Sequence, residues 1–238
     1  MNKLPPVTKN LLIINVLCWM GTLAFTKYGI NLHDIFGLHF FLSPGFKFWQ
    51  PVTYMFFHET VILDQALNQH IVFRHIFFNM FAVWMFGRVM EMEWGSKRFL
   101  WFYLICGIGA GLTQELCQFV QYALYEVVKL GNGLTIPMTQ YLDRILTVGA
   151  SGSVYGILLG YGMTYPNNQL FIIPIPVPIK AKWLVVGYVV LELVLGLRNS
   201  AADNVAHFAH LGGMLAGFLM ILYWKHKERK DNHIKFTW

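Results

Sequence analysis

Residues 148–165, VGASGSVYGILLGYGMTY, decide the fold of this chain. They carry no charge and lie within a longer uncharged segment between Arg144 and Lys180. A membrane-spanning helix needs about 20 mostly apolar residues. The turn-forming run Pro166-Asn167-Asn168 follows directly. The pattern therefore predicts a membrane helix that is rich in small residues and ends at this turn.

The composition of the whole chain agrees with a lipid environment. Only 13% of the 238 residues are charged, 56% are hydrophobic, and the mean hydropathy is +0.48. An average soluble protein carries about 25% charged residues. These values exclude a disordered chain and a coiled coil, and an odd count of three cysteines argues against a disulfide scaffold. The sequence indicates a membrane protein.

Apolar runs elsewhere predict an all-α bundle of six membrane helices. The predicted spans are Asn10–Thr26, Ile71–Met90, Phe99–Gln114, Val148–Tyr165, Ala181–Leu197 and Asn204–Trp224. Either Glu115 interrupts or ends the third span, or the first half of residues 115–147 extends that helix as far as Gly131-Asn132-Gly133. The prolines of residues 172–179 exclude a regular helix before the fifth span. We predict a cytoplasmic N-terminus (residues 1–9), a membrane domain (10–224) and a basic cytoplasmic tail (225–238).

The basic residues determine the predicted orientation. With the N-terminus inside, twelve of the 18 Lys and Arg side chains lie on the cytoplasmic side and six outside, as the positive-inside rule requires. In a membrane protein the position of the Lys and Arg residues matters more than their sum. The net charge of +6 therefore does not indicate a nucleic-acid partner, and we expect none. The expected location is a bacterial plasma membrane, with both termini cytoplasmic and the lipid bilayer as surroundings.

Polar groups inside a bilayer are costly, so each one is a candidate for function. Predicted helices two, four and six all enter from the outer side, and their first turns share one depth. Those turns carry these polar side chains: His75, Asn79, Ser151, His207 and His210. A shared depth follows from the topology alone, whereas proximity within the membrane plane does not.

Small residues suggest how two of these helices meet. Gly152, Gly156 and Gly160 lie on one face of helix four, and Gly213 and Gly217 on one face of helix six. Such faces let helix backbones approach closely, which would bring Ser151 and His210 within hydrogen-bonding reach. Generic helix packing with a structural serine is the alternative. His75 and Asn79 share a face as well, either as interhelical hydrogen-bond donors or as donors to an oxyanion.

Three motifs resemble those of the rhomboid intramembrane proteases. They are Gly149-Ala150-Ser151-Gly152 with Tyr155, Ala209-His210-Leu211-Gly212-Gly213 with Gly217, and His75-Ile76-Phe77-Phe78-Asn79. They occur on predicted helices four, six and two, as in that family. The likeness covers all six predicted spans and implies a six-span protease of the bacterial type.

The resemblance implies a mechanism for these residues. Ser151 is the nucleophile and His210 its general base, a dyad with no acidic third member, in keeping with the absence of aspartate from the spans. His75, Asn79 and the backbone N–H of Ser151 stabilise the oxyanion, and the Tyr155 ring packs on His210. Supporting glycines are Gly149, Gly152, Gly213 and Gly217. We expect no cofactor and no metal.

The first loop departs from the family pattern. Relatives often carry Trp-Arg where this chain has Trp49-Gln50. Loss of the arginine is expected to remove charge-assisted hydrogen bonds that brace the loop. We interpret the four histidines of the loop (His33, His39, His58 and His70) as interfacial residues. Glu115 and Glu192 are expected to bond neighbouring helices.

Three functions remain open from sequence. The first is an active serine endopeptidase that cuts transmembrane segments of other proteins near the outer membrane face. The second is a catalytically inactive protein of the same fold that binds membrane helices. The third is a small transporter that uses Glu115, Glu192 and the histidines. No His-Glu-x-x-His run suggests a zinc protease. We favour the endopeptidase, and the sequence predicts no oligomeric state.

Overall fold

The computed structural model describes residues 3–63, 69–131, 133–172, 175–198 and 206–231. Its α-helices, in chain order, are α1 Pro6–Thr26, α2 Leu32–Phe36, α3 Gln50–Thr53, α4 Arg74–Ala82, α5 Arg88–Trp94, α6 Ser96–Leu124, α7 Met138–Leu142, α8 Ser151–Thr164, α9 Ala181–Arg198 and α10 His207–Asp231. A 3₁₀ turn, Tyr54–Phe56, follows α3, and a π-helical turn, Val83–Gly87, joins α4 to α5.

Four two-stranded antiparallel ladders accompany the helices. The strands are β1 Leu38–His39, β2 Val61–Leu63, β3 Gln69–Ile71, β4 Val127–Lys129, β5 Thr135–Pro137, β6 Leu146–Thr147, β7 Gln169–Ile172 and β8 Ile175–Lys180. They pair as β1 with β6, β2 with β3, β4 with β5 and β7 with β8. All four lie in connections between long helices, so the architecture remains a helical bundle.

The long helices follow the predicted spans with shifted ends. The first span begins earlier, at Pro6, and the fourth is shorter, with 14 residues from Ser151 to Thr164. The third continues unbroken through Glu115 to Leu124, so Glu115 does not end it, and the alternative that the residues after it extend this helix is confirmed. Glu115 Oε2 accepts the backbone N–H of Phe41 at 2.8 Å, which gives the carboxylate a partner without breaking the helix. The predicted start of the sixth span, Asn204, lies outside the described residues, as do Pro174 and the second half of the tail, residues 232–238.

Three of the described helices are long and apolar enough to cross a membrane: Pro6–Thr26, Ser96–Leu124 and His207–Lys230. The outer faces of the bundle are apolar, with Leu17 61%, Trp183 62% and Leu219 56% exposed. Soluble proteins rarely expose apolar patches of that extent. The remaining predicted spans correspond to the α4–α5 run, α8 and α9, and the count of six membrane crossings stays a prediction.

Helix α6 is the centre of the core. Phe99, Phe102, Tyr103 and Cys106 on this helix are all fully buried. Both α8 and α10 pack against α6 and against each other, and α9 packs against α8 and α10. This arrangement holds the first turns of α8 and α10 side by side.

Glu91 fastens α1 to the bundle. Its carboxylate accepts the backbone N–H groups of Val7 (2.9 Å) and Thr8 (2.7 Å) and the hydroxyls of Thr8 and Ser96. The first amides of a helix have no acceptor within the helix, and Pro5 at the N-cap provides no side-chain hydrogen bond. A carboxylate from α5 therefore caps α1 across the bundle.

Gln50 braces the first loop through neutral hydrogen bonds, and the expected loss of charge-assisted bonds relative to arginine stays a prediction. The side chain is fully buried. Its Oε1 accepts the backbone N–H groups of Lys47 (3.1 Å) and His39 (3.3 Å), and its Nε2 donates to the Gly45 carbonyl at 3.1 Å. An amide both donates and accepts, which a guanidinium cannot do, so a neutral side chain bonds both kinds of backbone group here.

We expect Gln50→Ala to lower the free energy of unfolding by about 2–4 kcal/mol, because several buried backbone groups lose a partner at once. A second buried glutamine provides the control. Gln118 on α6 is 2% exposed, and its amide has no hydrogen-bond partner among the described residues. Gln118→Leu should therefore leave the Tm unchanged or raise it. Thermal unfolding of both variants in detergent is the measurement, and a larger loss for Gln118→Leu than for Gln50→Ala would contradict this account.

Candidate functional site

Ser151 and His210 lie in contact at the N-terminal ends of α8 and α10. Ser151 is the first residue of α8, and His210 lies in the first turn of α10. The Oγ of Ser151 is 2.9 Å from the Nε2 of His210. His210 is only 7% exposed. A buried imidazole at this distance can accept the proton of the serine hydroxyl.

Two glycines make this contact possible. A Cβ atom at Gly213 would lie 2.1 Å from the carbonyl oxygen of Gly152, which means that the backbones of α8 and α10 touch. A Cβ at Gly156 would meet Cys106 Sγ at 2.4 Å and the Gly213 carbonyl at 3.2 Å. Gly217 instead faces α6, where its Cβ would lie 2.9 Å from the Phe102 ring. The small-residue faces thus join α8, α10 and α6 in one close-packed unit.

The turn before α8 depends on Gly149. Its φ of +131° lies where L-amino acids with a side chain are strained. A Cβ there would also lie 2.9 Å from His75 Nε2. Gly149 therefore lets the chain turn into α8 and lets the His75 ring approach the residues next to Ser151.

The other candidate oxyanion donors lie at the same end of the bundle. Asn79 is 6% exposed, and its amide donates to the His75 carbonyl one turn earlier on α4, at 2.9 Å. The backbone N–H of Ser151 has no acceptor within its helix, because the first amides of a helix are unpaired. Helix N-termini of this kind favour negative charge.

His58 belongs to this group, although its place in the first loop suggested an interfacial residue. Its side chain is fully buried, so that interpretation is wrong. The ring packs edge-on against His75, with centroids 5.2 Å apart, and its Nε2 accepts the backbone N–H of Ala150 at 3.4 Å. Burial, with His75 and His33 nearby, lowers the pKa of His58 to about 3. His58 is thus neutral at pH 7 and can accept the amide that precedes Ser151. His39, 8% exposed, is a second buried loop histidine.

Tyr155 lies against His210 one turn after Ser151. The two rings stack, with centroids 4.2 Å apart and planes 10° apart. The phenol hydroxyl donates to Glu192 Oε1. Tyr155 therefore contacts both the imidazole and a carboxylate on α9.

Glu192 is a second residue at this site, after His58, whose place sequence analysis missed. Its Oε2 lies 2.6 Å from His207 Nδ1 and 3.0 Å from His210 Nδ1. The sequence predicted that Glu192 bonds a neighbouring helix. In the structure that helix is α10, which carries His210. A carboxylate in an apolar span needs a partner, and the histidines of the next helix were the available signal.

Glu192, His207 and His210 could also hold a metal ion. Among the described residues, these three each provide one ligand atom, and the three atoms lie within 4.8 Å of one another. The 2.6 Å separation between Glu192 Oε2 and His207 Nδ1 is shorter than the roughly 3.3 Å expected between two ligands of a tetrahedral zinc ion at about 2.0 Å. The geometry fits hydrogen bonds better than a metal.

Comparison with known proteins identifies the family of this chain. The profile of the Rhomboid domain matches residues 45–227. Rhomboid protease AarA of Providencia stuartii is 29% identical over 167 residues, which cover 66% of this chain and 54% of that protein. Rhomboid protease GluP of Bacillus subtilis is 28% identical over 151 residues, covering 63% and 23%.

A plant relative aligns over more of the chain. Rhomboid-like protein 11, chloroplastic, of Arabidopsis thaliana is 26% identical over 215 residues, covering 81% of this chain and 61% of that protein. The chain spans less than two thirds of the length of each of these three relatives. The domain match covers most of the chain, and the apolar helical bundle is the fold that it implies. The chain belongs to the rhomboid family and is an integral membrane protein.

Proposed function

We propose that this protein is an intramembrane serine endopeptidase, with Ser151 as nucleophile and His210 as general base. The observation that carries the proposal is the 2.9 Å contact between Ser151 Oγ and His210 Nε2. Two relatives are named rhomboid proteases, which supports the same chemistry. An inactive member that only binds membrane helices would have no need of this buried contact.

The proposed reaction follows from the positions of these atoms. His210 Nε2 takes the proton of Ser151 as Oγ forms a bond to the carbonyl carbon of the scissile peptide. The carbonyl electron pair moves onto its oxygen, and that oxyanion is bound by the Ser151 N–H with His75 and Asn79. His210 then passes the proton to the leaving nitrogen, and water later hydrolyses the acyl-enzyme.

We propose transmembrane segments of other membrane proteins as substrates. Ser151 begins α8, next to the loops at one end of the bundle. With both termini cytoplasmic, that end is the outer one. A lipid-exposed helix hides its carbonyls in its own hydrogen bonds, so substrates that unwind near their outer end should be cut most readily.

Reconstitution with a model substrate tests this function. The purified protein and a single-span substrate are placed in liposomes, and the cleavage products are mapped by mass spectrometry. We expect one cut near the outer end of the substrate helix. Cuts in its cytoplasmic half would contradict the proposed topology, and no cleavage of any helix-breaking substrate would contradict the activity.

We expect Asn79→Ala to lower kcat by about 10²–10³ while KM changes little, because an oxyanion donor acts mainly in the transition state. The measurement is steady-state cleavage in detergent, with thermal unfolding to establish that the variant is folded. An unchanged kcat would show that Asn79 has only a structural role, through its hydrogen bond to the His75 carbonyl.

A further inference from the structure

The carboxylate of Glu192 lies on the opposite side of the His210 ring from Ser151. His210 Nε2 contacts Ser151 Oγ at 2.9 Å, and His210 Nδ1 lies 3.0 Å from Glu192 Oε2. One imidazole therefore bridges a hydroxyl and an acid. This is the order of groups in a serine–histidine–acid triad.

The surroundings of Glu192 hold its carboxylate in place. The residue is 3% exposed, although it lies on a helix whose outer face is apolar. Oε1 accepts the Tyr155 hydroxyl, and Oε2 is 2.6 Å from His207 Nδ1. A buried carboxylate needs such partners, and here they come from both helices that bear the proposed dyad.

The contact with His210 is close but poorly aligned. Nδ1 of His210 is buried and makes no well-directed hydrogen bond with any described residue, while His207 makes a directed contact with the same oxygen. The attraction to His210 grows when that ring takes the serine proton, because an imidazolium then lies 3.0 Å from a carboxylate. Glu192 is thus placed to stabilise the charge that forms during attack.

We propose that Glu192 is a positioning residue that completes a Ser151–His210–Glu192 triad in this chain, with His207 and Tyr155 holding its carboxylate. This inference rests on the proposed function. Glu192 keeps the His210 proton on Nδ1, so that Nε2 presents its lone pair to Ser151. The proton of Ser151 moves to Nε2 during attack, and Glu192 remains ionised throughout.

The experiment compares Glu192→Gln with a matched variant, Glu115→Gln. Glutamine keeps the shape of the side chain and removes its charge. Glu115 is also a helix carboxylate, but it contacts the backbone of Phe41 and not the site. For both variants kcat and KM of substrate cleavage, the rate of phosphonate labelling and the Tm are measured. Nitrogen NMR of ¹⁵N-histidine-labelled protein reads the tautomer of His210, with His210→Asn for assignment.

We expect Glu192→Gln to lower kcat and the labelling rate together by about 10²–10⁴, with KM little changed, because loss of a triad acid leaves the histidine in the wrong tautomer. In the wild type His210 should be protonated on Nδ1, and in the variant the proton should redistribute to Nε2. Glu115→Gln should retain wild-type kcat.

Several outcomes would overturn the triad. The first is a wild-type His210 that is protonated on Nε2. The second is a Glu192→Gln protein whose kcat and labelling rate are normal, whether or not its Tm is lowered. The wild-type spectrum decides the question even if Glu192→Gln does not fold. Loss of activity on treatment with EDTA, restored by Zn²⁺, would assign the three side chains to a metal instead. If Ser151→Ala is still labelled, the proposed function itself fails; if only Glu192→Gln behaves as wild type, the dyad stands alone.

Discussion

Replacing Ser151 with alanine should abolish substrate cleavage, with a fall in kcat of about 10⁶. It should also abolish labelling by a serine-directed phosphonate, because the label bonds to the activated hydroxyl. Only loss of the general base His210 should have a comparable effect, because the serine and the histidine act as a unit. Gel-based labelling and product analysis in detergent check the prediction.

Ser153 provides the matched control on the same helix. It is fully buried, and its hydroxyl donates to the Tyr103 carbonyl on α6 at 2.8 Å, away from His210. Ser153→Ala should keep labelling and cleavage and lower the free energy of unfolding by about 1 kcal/mol. Labelling that survives in Ser151→Ala, or that is lost in Ser153→Ala, would place the nucleophile elsewhere.

The second large effect is expected from Gly213→Ala. The added methyl carbon would lie 2.1 Å from the Gly152 carbonyl oxygen and 2.8 Å from its carbon. Both contacts are with backbone, so no side chain can rotate away, and α8 and α10 must separate. We expect a loss of at least about 3 kcal/mol of stability. Because a shift of about 1 Å can cost about 10²-fold in rate, cleavage should fall even in the folded fraction.

A glycine on α9 shows whether the effect is steric. A Cβ at Gly187 would meet no atom within 4 Å. Gly187→Ala should therefore be neutral or slightly stabilising, since alanine is the better helix former by about 1 kcal/mol. Tm and kcat are measured for both variants. Equal behaviour of the two would show that α8 and α10 are not in backbone contact.

Sequence predicted the family and the helices that bear the candidate site, because both depend on local patterns. Charge-free runs located the long helices, and glycines four residues apart marked the faces of α8 and α10 that pack against each other and against α6. The resemblance selected Ser151 and His210, and the structure brings those two side chains together. Their catalytic roles stay predictions.

The rest depends on contacts between residues far apart in the chain. Nothing local to Gln50 shows that it bonds the backbone at His39, Gly45 and Lys47 at once. The burial of His58 follows from the turn at Gly149 and the approach of α4. Glu192 reaches His210 only because α9 packs on α10. In each case a polar side chain had several possible partners, and the tertiary packing selected one.

The hydrogen bonds between Glu91 and α1 make this helix part of the unit that folds cooperatively with the rest of the bundle. The domain match starts at residue 45, yet a carboxylate within it caps a helix that starts at Pro6. Glu91 is 2% exposed, so removing that helix would leave a buried carboxylate in the matched domain with Ser96 as its one remaining partner of the four hydrogen bonds. The boundary of the family and the boundary of the cooperative unit are therefore different places in this chain.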